Sequence, residues 1–128
     1  MEQTPLSAQA LSASLTVRDL ERSLAWYREA LGFTVERRME ADGVLRSVAI
    51  RADVVRILLN QDDGAKGLDR PKGEGFSLMI TTSQDLDALA SRIKDHGFAV
   101  DTEPADMPWG RRAFRVRDPD GYRYAFSS

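Results

Sequence analysis

The chemistry open to this chain is limited by its residues. It has one histidine, His96, and no cysteine among its 128 residues. A facial site of two imidazoles and a carboxylate therefore cannot be built from it, and thiolate chemistry, disulfides and sulfur-based zinc sites are excluded. His96 stands just before Gly97, where a helix is expected to end, and a partly cationic imidazole suits that end of the helix dipole. Its place is structural. Arginines and aromatic rings remain. Arg115, Arg117 and Arg123 flank Asp118-Pro119-Asp120-Gly121. A guanidinium grips carboxylate, phosphate or sulfate through two parallel hydrogen bonds, although arginines on an antiparallel strand also stand in solvent or pair with acidic neighbours. Trp109-Gly110 precedes this stretch, and a ring at a loop–strand junction either stacks on a planar ligand or anchors a dimer interface.

The elements that would carry these residues follow from periodicity. Residues 1–10 contain Pro5 and show no period, so they read as a loose tail. Ala13, Leu15 and Val17 alternate with Ser12, Ser14 and Thr16, as in a strand with one buried face. Asp19 can cap a helix whose stripe is Leu20, Leu24, Tyr27 and Leu31, and Gly32 stops it. Trp26 flanks that stripe as a packing residue. Strands are expected at Phe33–Glu40, Val44–Arg51 and Val54–Asn60, with Asp42-Gly43 turning the first hairpin. Residues 61–75 are charged and glycine-rich, a connector. Phe76–Thr82 reads as a strand, Leu86, Leu89, Ala90 and Ile93 mark a second helix, and Phe98–Asp101 starts another strand after Gly97. The helix starts Asp19-Leu20 and Asp85-Leu86 match. So do the stops Gly32-Phe33-Thr34-Val35 and Gly97-Phe98-Ala99-Val100, about 65 residues apart. The chain therefore reads as two βαβββ modules, residues 11–60 and 76–128, joined by the connector into one compact α+β domain.

The last hairpin allows two registers. A four-residue loop pairs Arg117 with Tyr122 and mixes Phe114 and Val116 with Arg123 on one face. A three-residue loop with Gly121 as a left-handed bulge residue pairs Asp118 with Tyr122 instead. It gathers Phe114, Val116, Tyr124 and Phe126 on one face and Arg115, Arg117, Arg123 and Ala125 on the other. Only the second separates apolar from polar, as a half-buried sheet requires.

The stretch Leu15-Thr-Val-Arg-Asp-Leu-Glu-Arg-Ser-Leu-Ala-Trp-Tyr-Arg-Glu-Ala-Leu-Gly-Phe33 resembles the first helix signature of the glyoxalase/bleomycin-resistance/extradiol-dioxygenase superfamily, the vicinal oxygen chelate proteins. Asp118-Pro-Asp-Gly121 resembles the hairpin before that family's last strand. The resemblance covers the chain from Leu11 to Phe126. It implies paired modules whose curved antiparallel and mixed sheets enclose a cleft, commonly in a homodimer. The family's enzymes usually hold a divalent metal on His or Glu of the first and last strands of each module. Carried over, those positions are Ser12, Ser77 (or Phe76 if the register slips), Ala125 and a residue near Leu58. None suits a transition metal, so no metal and no cofactor are expected. Residues 108–121 are similar to the corresponding stretch of bleomycin-resistance proteins, which sequester a flat cationic antibiotic without cutting it. Those proteins are typically quite acidic, whereas this chain carries a net charge of only −2 and arginines on the expected cleft strands.

The residues expected at the cleft are therefore Ser12, Ser77, Met79, Trp109, Arg115, Arg123 and Ala125. Phe33 and Met39 are further wall positions for which core or interface packing is an equal reading. The near-neutral charge gives no nucleic-acid footprint. No apolar run reaches the roughly 20 residues of a membrane span, and no leader pattern stands at the N-terminus, so the chain is expected in the cytoplasm. Three functions compete. The leading one is a metal-free binder of a small organic molecule, aromatic or anionic, working as a homodimer. The second is a metal-independent isomerase or lyase, for which Ser12, Ser77, Tyr122 and the arginines offer no evident acid–base pair. The third is an accessory protein with a vestigial cleft.

Overall fold

The computed structural model describes residues 3–128. Strand β1 (Ala13–Val17) buries Leu15 and Val17 and exposes Ser14 and Thr16, as the alternation requires. Helix α1 (Leu20–Leu31) is capped by Asp19, whose carboxylate accepts from the Arg22 N–H. Leu20, Ser23, Leu24, Trp26, Tyr27 and Ala30 make its buried stripe. Gly32 ends it at φ 77°, with its N–H on the Arg28 carbonyl and that of Phe33 on Tyr27. The left-handed stop and the backbone bonds close the helix together. Strands β2 (Thr34–Ala41), β3 (Val44–Ala52) and β4 (Val55–Gln61) complete the first half. The second half repeats the plan with β5 (Leu78–Thr81), α2 (Leu86–Asp95), β6 (Thr102–Asp106), β7 (Arg112–Arg117) and β8 (Arg123–Ser127).

The two sheets have the same topology, β1-β4-β3-β2 and β5-β8-β7-β6. In each, the first strand runs parallel to the last, and the other neighbours are antiparallel. The α+β architecture of two mixed four-stranded sheets is the one expected. Each helix covers its own sheet, and the helices touch each other. The two halves share one continuous core.

Three boundaries differ from expectation. Phe98, Ala99 and Val100 lie outside any strand, and β6 begins at Thr102. Phe98 instead stands edge-on to Trp26, at 6.3 Å between ring centroids. Phe76 and Ser77 precede β5. The β3–β4 turn is Asp53-Val54 rather than Ala52-Asp53, because Asp53 takes φ 53° and Ala52 pairs with Val55; aspartate tolerates that left-handed backbone well.

The connector is held down. Lys72 Nζ lies 3.0 Å from Asp62 Oδ2 as a buried countercharge, while Asp62 Oδ1 accepts from the Gly64 N–H. That N–H, then the ammonium, lower the Asp62 pKa. Arg18 Nε donates to the Leu68 carbonyl at 2.9 Å.

Candidate functional site

The last hairpin adopts the register that separates its faces. Val116 pairs with Tyr124, Phe114 with Phe126 and Arg115 with Ala125. Asp118 and Tyr122 close the loop through the Asp118 N–H on the Tyr122 carbonyl, with Gly121 at φ 94°. The apolar face lies in the core, and Arg115, Arg117 and Arg123 stand exposed on the other side. Arg117 is engaged by Asp101 at 2.9 Å.

The same hairpin docks the second half onto α1. Tyr27 donates its hydroxyl to Asp118 Oδ2 at 2.7 Å and sits 2.7 Å from the Tyr124 hydroxyl. Asp118 Oδ1 accepts from the N–H groups of Asp120 and Tyr122. Asp120 accepts from the Arg18 N–H and from Ser23 Oγ. Tyr122 donates to the Thr16 carbonyl at 2.7 Å. Burial pushes the Asp118 pKa up to about 6, against the lowering effect of its three donors. Burial likewise raises Tyr27 and Tyr124 well above the ordinary phenol value. A buried polar network at a junction must be satisfied throughout to be tolerated, and this one is.

Next to that junction, the outer edges of β1 and β5 border an open groove of about 960 Å³. Its size falls in the range of small-molecule sites. Three of the expected site residues meet here: Ser12, Ser77 and Met79. Ser14 lines it too, and its Oγ accepts from Asn60 Nδ2 at 2.9 Å, leaving its own O–H for another acceptor. The apolar surface comes from Leu11, Val54, Phe76 and Met79, and Tyr124 contributes from the core side. Phe76 packs on Tyr122 at 6.0 Å.

The structure does not bring Trp109, Arg115, Arg123 or Ala125 to this groove. Trp109 projects from the β6–β7 turn, 68% exposed. Ala125 lies beside Met79 on the open face of the second sheet, in one row with Arg115 and Thr102. Phe33 is core, edge-on to Tyr27, and Met39 is half-buried on β2. His96 ends α2, with Nδ1 2.8 Å from the Arg92 carbonyl.

Sequence reasoning missed Arg51 and Arg56, which reach the groove from β3 and β4. They face each other across the strands, and Glu36 lies 3.2 Å from Arg56 and 3.9 Å from Arg51. The signal was present in Arg51-Ala-Asp-Val-Val-Arg56, where the arginines are symmetric about Asp53-Val54. Only the correct turn reveals that symmetry.

Paired βαβββ halves, each a mixed four-stranded sheet, thus border one open groove. The match of residues 9–126 identifies the family: the chain belongs to the Glyoxalase/Bleomycin resistance protein/Dioxygenase superfamily. It is 27% identical over 114 residues to a catechol-2,3-dioxygenase of Bacillus subtilis, covering 85% of this chain and 37% of that protein's length. It is 28% identical to a probable lactoylglutathione lyase of Synechocystis sp., covering 88% and 89%. The fold superposes on the crystal structure of TioX from Micromonospora sp. ML1 with a TM-score of 0.76 at 21% identity, covering 94% and 98%.

The metal that many members of this superfamily hold does not fit these residues. The positions that the resemblance implies for it are Ser12, Ser77 (or Phe76), Ala125 and a residue near Leu58, and the side chains so named are hydroxyls and hydrocarbons. Among the described residues, no three His, Cys, Asp or Glu side chains cluster to hold an ion. Transition-metal sites need imidazole, thiolate or carboxylate donors.

Proposed function

We propose that the protein is a metal-free binder of a small organic molecule, aromatic or anionic, held in the groove between β1 and β5. One observation carries the reading. Of eight large apolar side chains that stand exposed among the described residues, four line this groove: Leu11, Val54, Phe76 and Met79. Clustered apolar exposure marks a binding surface, whereas scattered apolar side chains mark nothing. Hydroxyls of Ser12, Ser14 and Ser77 stand among them, and a few polar groups in an apolar concavity orient a ligand. Enzyme-named relatives share the family, but the groove holds no histidine and no set of metal donors, so binding is the function its residues support.

The working form is a homodimer, with Trp109, Arg115 and Arg123 free on their exposed surfaces to meet a partner or to extend the ligand's contacts. No helix among the described residues is long and apolar enough to cross a membrane, and we place the protein in the cytoplasm.

The test is a fluorescence titration of chelator-treated protein with N-phenyl-1-naphthylamine, a neutral aromatic probe, beside its anionic analogue 8-anilinonaphthalene-1-sulfonate. Saturable binding of either with one site per chain is expected. It should fall at least about tenfold in Met79→Glu, because a charge on the apolar wall would have to be desolvated by the probe. Met79 is 79% exposed, so folding should be unaffected. Absence of saturable binding by both probes overturns the reading, as does binding that Met79→Glu leaves intact. Sedimentation equilibrium checks the dimer, and a monomer at tens of micromolar would remove that part.

A further inference from the structure

We propose that Arg51 and Arg56 form the anion subsite of this groove, and that Glu36 occupies the subsite in the free chain as an internal competitor which an anionic ligand group displaces. The proposal rests on the groove being the binding site and specifies the ligand's charged end.

The first ground is the pairing of the two arginines. Arg51 on β3 stands directly opposite Arg56 on β4. Like charges at such positions repel and weaken a sheet, so nothing in strand pairing favours this choice. Both side chains line the groove, about half exposed. Two forks side by side on an exposed sheet face suit a carboxylate or sulfonate, which takes two parallel N–H bonds from a guanidinium.

The second ground is how Glu36 arrives. On β2 the register passes from Val35 opposite Ile50 to Arg37 opposite Ala49, so Glu36 is the unpaired residue of a β-bulge. Bulges re-aim a side chain and recur beside functional sites. Here the bulge sets the Glu36 carboxylate against the arginine pair, bonded to Arg56 Nε at 3.2 Å and a looser 3.9 Å from Arg51. Arg51 Nε is already committed to the Asp53 carbonyl at 2.6 Å. One carboxylate thus faces two guanidiniums, and only one of them firmly. The grip is partial, and Glu36 itself is one-third exposed, so exchange for a ligand carboxylate or sulfonate needs no repacking. The groove lining carries Arg51 and Arg56 beside one acidic residue, Asp53. Glu36, outside that lining, brings the charges at the pair to two against two, so an anion gains the excess of positive charge only where it displaces Glu36.

The ligand class that follows is an organic anion with an apolar body: the charged end on Arg51 and Arg56, the body against Val54, Phe76 and Met79, and a polar substituent within reach of the serines. Glu36 sets the threshold. Neutral ligands do not compete with it, whereas anions must.

The experiment uses the same two probes on four full-length proteins: wild type, Glu36→Gln, Arg56→Gln and Arg51→Gln. Each variant is checked for an unchanged far-ultraviolet spectrum and thermal midpoint. Glu36→Gln is expected to tighten 8-anilinonaphthalene-1-sulfonate about three- to fivefold, and each arginine variant to weaken it by about the same factor. N-phenyl-1-naphthylamine should stay within twofold throughout; charge-pair contributions at this exposure set that scale. If both probes bind but Glu36→Gln leaves the sulfonate unchanged, or the two probes shift together, the anion subsite is wrong while the groove reading survives. If neither probe binds wild type, the groove reading fails and takes this proposal with it.

Discussion

Tyr27→Phe isolates the bonds that dock the second half of the chain onto α1. The substitution keeps the ring in the core and removes one oxygen, so its cost comes from hydrogen bonds alone. In the wild type that oxygen donates to Asp118 Oδ2 at 2.7 Å and lies 2.7 Å from the Tyr124 hydroxyl. The bond to a carboxylate is worth about 1.5–3 kcal/mol and the neutral one about 0.5–1.5 kcal/mol, and both abandoned partners stay buried. The expected loss at pH 7.5, where Asp118 is ionised, is therefore about 2–4 kcal/mol. At pH 5 most Asp118 is protonated, because burial holds its pKa near 6. The charge-assisted part then disappears, and the loss should shrink to about 1–2 kcal/mol. The direction agrees with linkage: the Tyr27 hydroxyl lowers the Asp118 pKa, so deleting it penalises the ionised form most. Urea unfolding followed by tryptophan fluorescence at both pH values measures this, provided the slope with urea is unchanged. A loss under about 0.5 kcal/mol at pH 7.5, or equal losses at both pH values, refutes the reasoning.

Two further outcomes follow from the same structure. Asp118 titrates higher in the native state than its unfolded value near 4, so its contribution to stability is full below about pH 4 and is lost as pH rises through about 6. Asp118→Asn should thus gain on wild type by up to about 3 kcal/mol between pH 4 and 7.5, and an Asp118 carboxyl titrating below about 4.5 by NMR would contradict it. Gly73→Ala should cost about 2–4 kcal/mol, since φ is 77° and a Cβ would meet Tyr122 Cα and Cδ1 at 3.0 Å. Gly43→Ala, at φ 73° but with nothing within 4 Å, should cost only about 1 kcal/mol, and equal thermal shifts for the two would show that the contact is unimportant.

The parts of the fold readable in sequence were those fixed by local rules. Asp19 and Gly32 bracket α1 because capping acts within a turn, and the terminal hairpin register followed from Gly121 and from which face could be buried. Phe98–Asp101 read as a strand because Phe-x-Val follows a glycine stop in both halves. Phe98 and Val100 are half-buried there, yet Phe98 packs on Trp26, a partner in the other half. The resemblance put Ser12 and Ser77 at the cleft, with Met79 as a further wall position, and all three line one groove. Alternation placed Arg115, Arg123 and Ala125 on the open face correctly as well, but which open-face positions border β1 depends on how the halves dock. Docking runs through Tyr27, Asp118 and Asp120, contacts more than 90 residues apart in sequence, and no period encodes them. The Glu36 bulge and the one-residue shift of the Asp53 turn hid the arginine pair for a similar reason: each moves side chains between faces without changing composition.

The two polar regions of the molecule differ in a way that bears on which of them works. A carboxyl titrating near neutrality invites a catalytic reading, and Asp118 is such a group. Yet its oxygens accept three hydrogen bonds from groups fixed by the fold, and it lies outside the groove. Those three bonds hold in the ionised form as well, so the carboxyl serves the contact that joins the halves. The groove is built the other way. Ser12 and Ser77 are exposed, Ser14 keeps its O–H, and Arg51 and Arg56 share one carboxylate between them. Groups whose bonds are to water, or are only partly made, can be exchanged for a ligand at little cost, whereas a satisfied buried network cannot. The raised Asp118 pKa therefore reports the burial required to dock two half-domains, and the proposed recognition rests instead on the incompletely bonded side chains of the groove, Ser12, Ser14, Ser77, Arg51 and Arg56.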